Sequence, residues 1–301
     1  MKSLKKAFRH EKIGLLFVLP ALIYMLIFIG YPIIYNIILS FQDVTVKNLV
    51  RGDKYFIGLN NYIDLFKDDV FTQSIINTLI YTVSCLILQF IIGFALALLF
   101  KNKFTTAKPI RGFSMIPWMV PITITALIFK FMFSTDVGLI NNALRALGLI
   151  QQNIDWLTST STAMIVIIFA NVWIGIPFNM ILISAGLTTI PGELFESAAI
   201  DGASRSQQFF KITLPMLKPT IQSLLILGFI YTFKVFDLVY VMTGGGPVNS
   251  TQMMSTYSYK QSFELFKYSK GAAAANVLLV ILMIFSLIYV KFAYRDEKEE
   301  K

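Results

Sequence analysis

Long apolar runs with few interruptions dominate the chain, and six of them exceed the roughly 18–20 residues a helix needs to cross a hydrocarbon core of about 30 Å. They cover about 13–39, 75–100, 113–133, 163–187, 221–242 and 272–292. A soluble core does not need uninterrupted stretches of this length. In lipid, each backbone N–H and C=O must be satisfied within its own segment, so the runs predict spanning α-helices. The pattern therefore predicts an all-α integral membrane protein in one membrane domain, 13–293, with a basic tail over 1–12 and a charged tail over 294–301. The first run contains Pro20 and Pro32 and is too long for the apolar region of a signal peptide, so it reads as a retained helix.

Charge sets the orientation. Of 26 lysines and arginines, one set of alternate connections and tails holds Lys2, Lys5, Lys6, Arg9 and Lys12, then Lys101, Lys103, Lys108 and Arg111. The same side holds Arg205, Lys211 and Lys218, then Lys291, Arg295, Lys298 and Lys301. The opposite side holds only Lys47, Arg51, Lys54, Lys67, Arg145, Lys260, Lys267 and Lys270. Basic residues concentrate on cytoplasmic loops, which puts both termini in the cytoplasm. The net charge of +9 is thereby explained by topology, and no nucleic-acid partner is expected.

Composition narrows the chemistry. Residues are 56% hydrophobic and 14% charged, with one cysteine, Cys85, and one histidine, His10. An intrachain disulfide, a Cys/His metal site and a cysteine–histidine nucleophile pair are excluded. No Gly-rich string ends in Gly-Lys-Ser/Thr, so no phosphate-cradling loop is encoded and no cofactor is expected on this chain. The cluster Gly244-Gly245-Gly246-Pro247 reads as a tight turn.

The connection 190–219 carries more structure than a link requires. Pro191 suits a first helical turn, Glu193 and Glu196 suit its positive end, and Gly202 suits a left-handed stop. Ala198 and Ala199 permit close approach of another surface. A second short helix from about Arg205 would present Phe209, Phe210 and Ile212 before Pro215 stops it. A docking element and an amphipathic connector lying on headgroups both fit these features.

This segment resembles the EAA loop of binding-protein-dependent ABC-importer permeases. The match runs through Glu196, Ser197, Ala198, Ala199, Asp201, Gly202, Ala203, Ile212, Leu214 and Pro215, with Ser197 where the motif has alanine. Ile190-Pro191, Ile200-Asp201-Gly202-Ala203, Tyr31-Pro32, Phe56-Ile57-Gly58-Leu59-Asn60-Asn61-Tyr62, Phe236-Asp237-Leu238-Val239-Tyr240 and Thr243-Gly244-Gly245-Gly246-Pro247 resemble the carbohydrate branch, the maltose and glycerol-phosphate type. The resemblance implies a type I importer permease fold of six spans in a bacterial cell membrane. It also implies a second homologous permease, a cytosolic ATPase dimer that uses ATP and Mg, and an extracytoplasmic solute-binding protein. In that family the loop docks on the ATPase, so the chain itself would not be an enzyme.

By the same resemblance, Trp118, Ile122, Ile174, Gly175, Gly228, Thr232 and Val235 align with sugar-contacting positions. An aromatic face with a few hydrogen-bonding groups suits a neutral sugar. Trp118 lies between Pro117 and Pro121 and also fits an interfacial belt. Lys130, Lys234 and Asp237 are ionisable residues within spans. Lys234 and Asp237, three apart, could pair on one helical face or serve the path, and Lys130 could snorkel. A glycerol-phosphate-like cargo would require a basic pocket, and an ion-coupled secondary transporter would require carboxylates in the spans.

Overall fold

The computed structural model describes residues 17–52, 54–101 and 106–299, so the basic tail 1–12 with His10, the first-span residues 13–16, Lys103 and Lys301 lie outside the described residues. The chain divides into two compact units, residues 1–67 with 258–277, and residues 68–257 with 278–301.

In the first unit, helix α1 (Phe17–Ser40) is apolar throughout and carries a π-turn at Leu26–Gly30, just before Pro32. A proline inside a helix removes one backbone bond, and a π-turn is one way a helix absorbs the irregularity. Strands β1 (Gln42–Asp43) and β2 (Tyr55–Phe56) pair antiparallel, flanking α2 (Val46–Arg51), and α3 (Asn60–Phe66) follows. Asn61 Nδ2 donates to the carbonyls of Ser40 and Gln42, both at 2.8 Å, and fixes the end of α1. A polar chain links this unit internally. Asn36 Nδ2 donates to Asn276 Oδ1 at 2.7 Å, Asn276 Nδ2 donates to Tyr62 Oη at 3.2 Å, and Tyr62 Oη lies 2.7 Å from Ser40 Oγ.

The second unit is built on α4 (Asp69–Lys101) and α9 (Ala163–Thr188), long helices that pack along each other. Gly93 makes the contact close: a Cβ there would stand 2.5 Å from Asn179 Cβ. Short helices α5 (Ala107–Phe113), α6 (Ile116–Met119), α7 (Ile122–Met132) and α8 (Leu139–Ala146) connect them. After α9 come α10 (Gly192–Ile200), α11 (Arg205–Met216), α12 (Lys218–Phe233), α13 (Asp237–Met242) and α14 (254–264). Helix α15 (Tyr268–Glu299) passes from the first unit into the second at residue 278. The charged C-terminal segment from 294 is thus helical backbone through Glu299.

Among the described residues, four helices, α1, α4, α9 and α15, are long and apolar enough to span, and two bent pairs raise the number to six. The third and fifth predicted spans are broken. Residues 107–119 and 122–132 meet at 96°, where Val120 and Pro121 adopt extended backbone. Proline's missing N–H and its effect on the preceding residue account for that break. The expected fifth span, 221–242, begins earlier, at Lys218, and stops at Phe233. Residues 234–236 are non-helical, and α13 restarts at Asp237. Gly244 and Gly245 take positive φ in the turn that follows α13.

Two apolar clusters fill the second unit at different heights along α4 and α9. One gathers Tyr81, Cys85, Ala126, Phe129, Val166, Ile167, Ala170, Leu238 and Met242. The other gathers Phe94, Ala97, Met180, Ile183, Leu187, Ile190, Leu217 and Leu224. Between them the same two helices turn polar side chains inward: Gln89 on α4, and Asn171 and Asn179 on α9.

Candidate functional site: a central cavity and a docking loop

The polar level between the two clusters is a cavity of about 500 Å³ within the second unit. Trp118, Ile122, Ile174, Gly175, Gly228, Thr232, Lys234, Val235 and Asp237, the residues expected on the substrate path, all line it. Gln89, Val120, Asn171, Phe178, Asn179, Tyr231, Phe236 and Leu238 complete the wall. The broken helices explain how side chains so far apart in sequence converge. The non-helical residues Val120 and 234–236 lie at the cavity, where backbone irregularity opens space that a continuous helix would fill.

Trp118 is 56% exposed, and its ring centroid lies 6.5 Å from that of Phe178, across the cavity wall. It is an aromatic of the cavity lining. Gly175 has a second role. A Cβ at this position would collide with the Gln89 amide, so the glycine is what admits Gln89 to the wall. Gly228 likewise leaves room for Leu86, whose Cδ2 would lie 2.8 Å from an added Cβ.

The expected Lys234–Asp237 pair does not form. The helix breaks between them, which destroys the shared face that a three-residue spacing would supply, and no ion pair joins them among the described residues. Lys234 Nζ instead lies 5.3 Å from the Tyr231 ring centroid. Lys130 is not in the cavity. Its Nζ donates to the Val241 carbonyl at 3.0 Å, in the last turn of α13, rather than simply snorkelling. A cation there satisfies a carbonyl that the helix itself leaves open.

The 190–217 loop takes the expected helix–turn–helix form. Helix α10 ends at Ile200, and Gly202 just beyond it, at φ +77°, makes the left-handed stop. Ser204 then opens α11 with a reciprocal capping box: its backbone N–H donates to Gln207 Oε1 at 2.8 Å and its Oγ accepts from Gln207 N. Pro215 does not stop the second helix. It sits in the first turn of a helical continuation, and the 62° bend falls between Met216 and Lys218.

The loop has an inward and an outward side. Phe195, Phe209, Ile212 and Leu214 pack on the cluster around Phe94 and Leu187. The Phe209 ring meets Phe94 edge-on at 5.7 Å, and Lys101 Nζ lies 4.2 Å from the Phe195 centroid. Outward lie Glu193, Leu194, Glu196, Ser197, Ala199, Ile200 and Asp201, with Ile200 87% exposed. Ala198, Asp201, Gly202, Ala203 and Ile212 also border a shallow cavity of about 300 Å³ with Lys211. Of the expected coupling residues, Glu196, Ser197, Ala199, Asp201, Gly202 and Pro215 are therefore exposed, Ala198 and Ala203 are partly so, and Ile212 and Leu214 hold the loop to the bundle.

A model of the family described as binding-protein-dependent transport system inner membrane component matches residues 89–295, from the cavity's Gln89 through the loop to the last helix. The chain belongs to this family. It is 36% identical to the probable ABC transporter permease protein YurN of Bacillus subtilis, over 97% of this chain and 99% of that one. It is 35% identical to the trehalose/maltose transport system permease protein MalF of Thermococcus litoralis, over 95% of each. Its fold superimposes at a TM-score of 0.84, with 26% identity, on a chain of a bacterial ABC transporter involved in the import of the acidic polysaccharide alginate. That match covers 97% of this chain and 99% of the other. Membership makes the protein a multi-pass inner membrane component of a transport system, and both the expected fold class and the expected family hold.

Sequence reasoning missed Gln89, Asn171, Asn179 and Phe178. Each sits in a run that reads as apolar span. The available signal was the amides themselves, since a Gln or Asn inside a spanning helix must find a partner.

Proposed function

We propose that this chain is one of two permease subunits of an ATP-driven importer, lining half of the path for a sugar or oligosaccharide. The observation that carries the reading is that α4 and α9 hold a mixed aromatic and amide cavity at mid-length and, through the Phe94 cluster, a protruding loop at one end. A site near mid-span that opens alternately to either side is the general arrangement of transporters. Here movement of the loop would reach the cavity through two continuous helices.

The loop's cytoplasmic partner on this reading is an ATPase dimer, which supplies ATP and Mg chemistry. Glu196, Ser197, Ala199, Ile200 and Asp201 would meet it. A helix lying on lipid would turn its apolar side to the acyl chains, whereas Phe195 and Phe209 are occupied by protein. That favours docking over a headgroup connector. The excess of basic residues beside the loop supports cytoplasmic termini. An extracytoplasmic solute-binding protein would deliver cargo, and a homologous permease would close the other half of the path. Relatives that carry trehalose/maltose and alginate support a carbohydrate cargo.

The test is co-purification from membranes of intact protein against Glu196→Lys and Gly202→Asp. Intact protein should bring down a second permease and an ATPase, and the variants should lose the ATPase alone. Glu196 is exposed, so its variant leaves packing untouched. Gly202→Asp meets no atom within 4 Å but strains the left-handed backbone at φ +77°, so its thermal midpoint is measured beside retention. Failure of the intact protein to retain an ATPase, even after crosslinking through residue 200, would sink the reading.

A further inference from the structure

We infer that Gln89 and Asn179 are positioning residues for coupling. Each side chain seats against a glycine of the facing helix, and the two seats lock α4 and α9 in one register between loop and cavity. This rests on the importer reading and deepens it.

The lock is reciprocal. Gln89 on α4 faces Gly175 on α9, where an added Cβ would fall 2.3 Å from the Gln89 amide carbon. One turn further along, Asn179 on α9 faces Gly93 on α4. An added Cβ there would fall 2.5 Å from Asn179 Cβ and 3.1 Å from the Met180 backbone nitrogen. Positions 89 and 93 are four apart, as are 175 and 179, so both seats lie on one face of each helix. Gln89 and Asn179 are 4% and 3% exposed. Hydrogen bonds hold the amides in place. Gln89 Nε2 donates across the helix pair to the Asn171 carbonyl at 3.0 Å and to Asn171 Oδ1 at 2.7 Å. Asn179 Nδ2 donates to the Gly175 carbonyl at 2.9 Å.

On either side of the lock the two helices meet through apolar groups. Tyr81 and Cys85 join Ile167 and Ala170 on one side, and Phe94 and Ala97 join Met180 and Ile183 on the other. Apolar contact is non-directional, and packed helices can ratchet past each other by a turn. An amide in a glycine seat opposes that. A one-turn slip would set Gln89 against position 171 or 179, each of which carries a Cβ, and would strand its buried amide hydrogens. Small residues let membrane helices approach closely, and a single buried polar group can specify their register.

Register matters because the loop bears on both helices beyond the lock. Phe209 meets Phe94 of α4, and Leu187 of α9 lies in the same cluster. Slip between the helices would absorb a displacement of the loop before it reached the cavity. With the register held, movement at Phe94 and Leu187 arrives at Gln89 and Ile174 together.

The experiment uses the complete importer in proteoliposomes, with its own partner permease, ATPase and binding protein. Spin labels on introduced cysteines read two diagonals across the lock: Ile80→Cys with Ala185→Cys, and Leu99→Cys with Ile165→Cys. All four positions are exposed, and native Cys85 is fully buried. Each diagonal spans about 30 Å at 1.5 Å per residue. Slip lengthens one diagonal and shortens the other, whereas movement of the pair as one body changes neither. In the intact importer both distances should be the same without nucleotide and with ATP and vanadate. In Gly93→Ala the two should shift in opposite senses between those states, by about 5 Å for a one-turn slip, and uptake per ATP hydrolysed should fall. Gly93 lies outside the cavity lining, so that fall is not a lost cargo contact. Gln89→Leu, which keeps the bulk and drops the bonds, reads the same diagonals if Gly93→Ala does not assemble. Opposite shifts in the intact importer, or unmoved diagonals in the variants, overturn the inference and leave the importer reading standing. No ATP-dependent uptake by the intact complex overturns both.

Discussion

Lys130 Nζ and the carbonyl oxygen of Val241 lie 3.0 Å apart, tying the second half of one broken span, α7, to the short helix α13 that follows the other break. The same two helices share the Phe129–Leu238–Met242 cluster, so polar and apolar contacts act together. Each break borders the cavity on one side of this joined pair.

Replacing Lys130 with Met keeps the stem and removes the donor. The bond is partly accessible, so its loss should cost about 1 kcal/mol and lower the thermal midpoint of the purified complex by about 2 °C. Lys130→Arg, which still donates, should restore most of it. A midpoint in Lys130→Met equal to that of intact protein would show that apolar packing alone holds α7 to α13.

Ile200 is the most exposed large apolar residue of the loop, and it is not among the residues packed on the Phe94 cluster. Ile200→Asp should leave expression and thermal midpoint unchanged while reducing ATPase retention at least about tenfold, the effect expected of a buried interface anchor. Quantitative pull-down from detergent extracts reads this directly. Retention at the intact level would place the docking surface elsewhere on the loop.

Gly93 admits Asn179 and lets α4 and α9 approach. Gly93→Val should force the helices apart at cavity level and destabilise the unit by about 1–3 kcal/mol, the usual cost of overpacking. Detergent-solubilised protein should then elute broadly on gel filtration, whereas Gly112→Val, at a glycine with open space around it, should not.

How much could be read from the sequence depended on the physical signal. The long runs over 75–100 and 163–187 are apolar enough to mark α9 at both ends and α4 at its C-terminal end, while the more polar first turns of α4 from Asp69 fall outside the run. Pro117 and Pro121 announced disturbance in the third span, but the 96° turn depends on which proline the helix yields to, and that is decided by packing. The break at 234–236 has no proline or glycine to signal it, so Lys234 and Asp237 read as helical neighbours when they are not. Gly202 was legible because a left-handed stop has a residue preference. Trp118, Ile122, Ile174, Gly175, Gly228, Thr232 and Val235 came from resemblance and Lys234 and Asp237 from their charge within a span, and the cavity lining includes them. Gln89 and Asn171 were hidden because each is an isolated amide among apolar neighbours in a spanning helix, and only the structure shows that they meet.

Phe209 offers a way to separate docking from transmission. Its ring packs edge-on against Phe94 at 5.7 Å and lies on the inward side of the loop, away from Ile200. Phe209→Ala should remove about 3–5 kcal/mol of packing if fully buried, and less here because the ring is only partly covered. The loop's outward side is untouched, so the ATPase should still be retained. What should fail is the rigid link from the loop to α4, and with it the cavity's response. The expected outcome is ATP hydrolysis by the assembled complex with uptake reduced about tenfold or more. Ile200→Asp should lose ATPase retention as well as uptake. If Phe209→Ala instead releases the ATPase, the inward and outward sides of the loop are not separable, and transmission cannot be assigned to the Phe209–Phe94 contact.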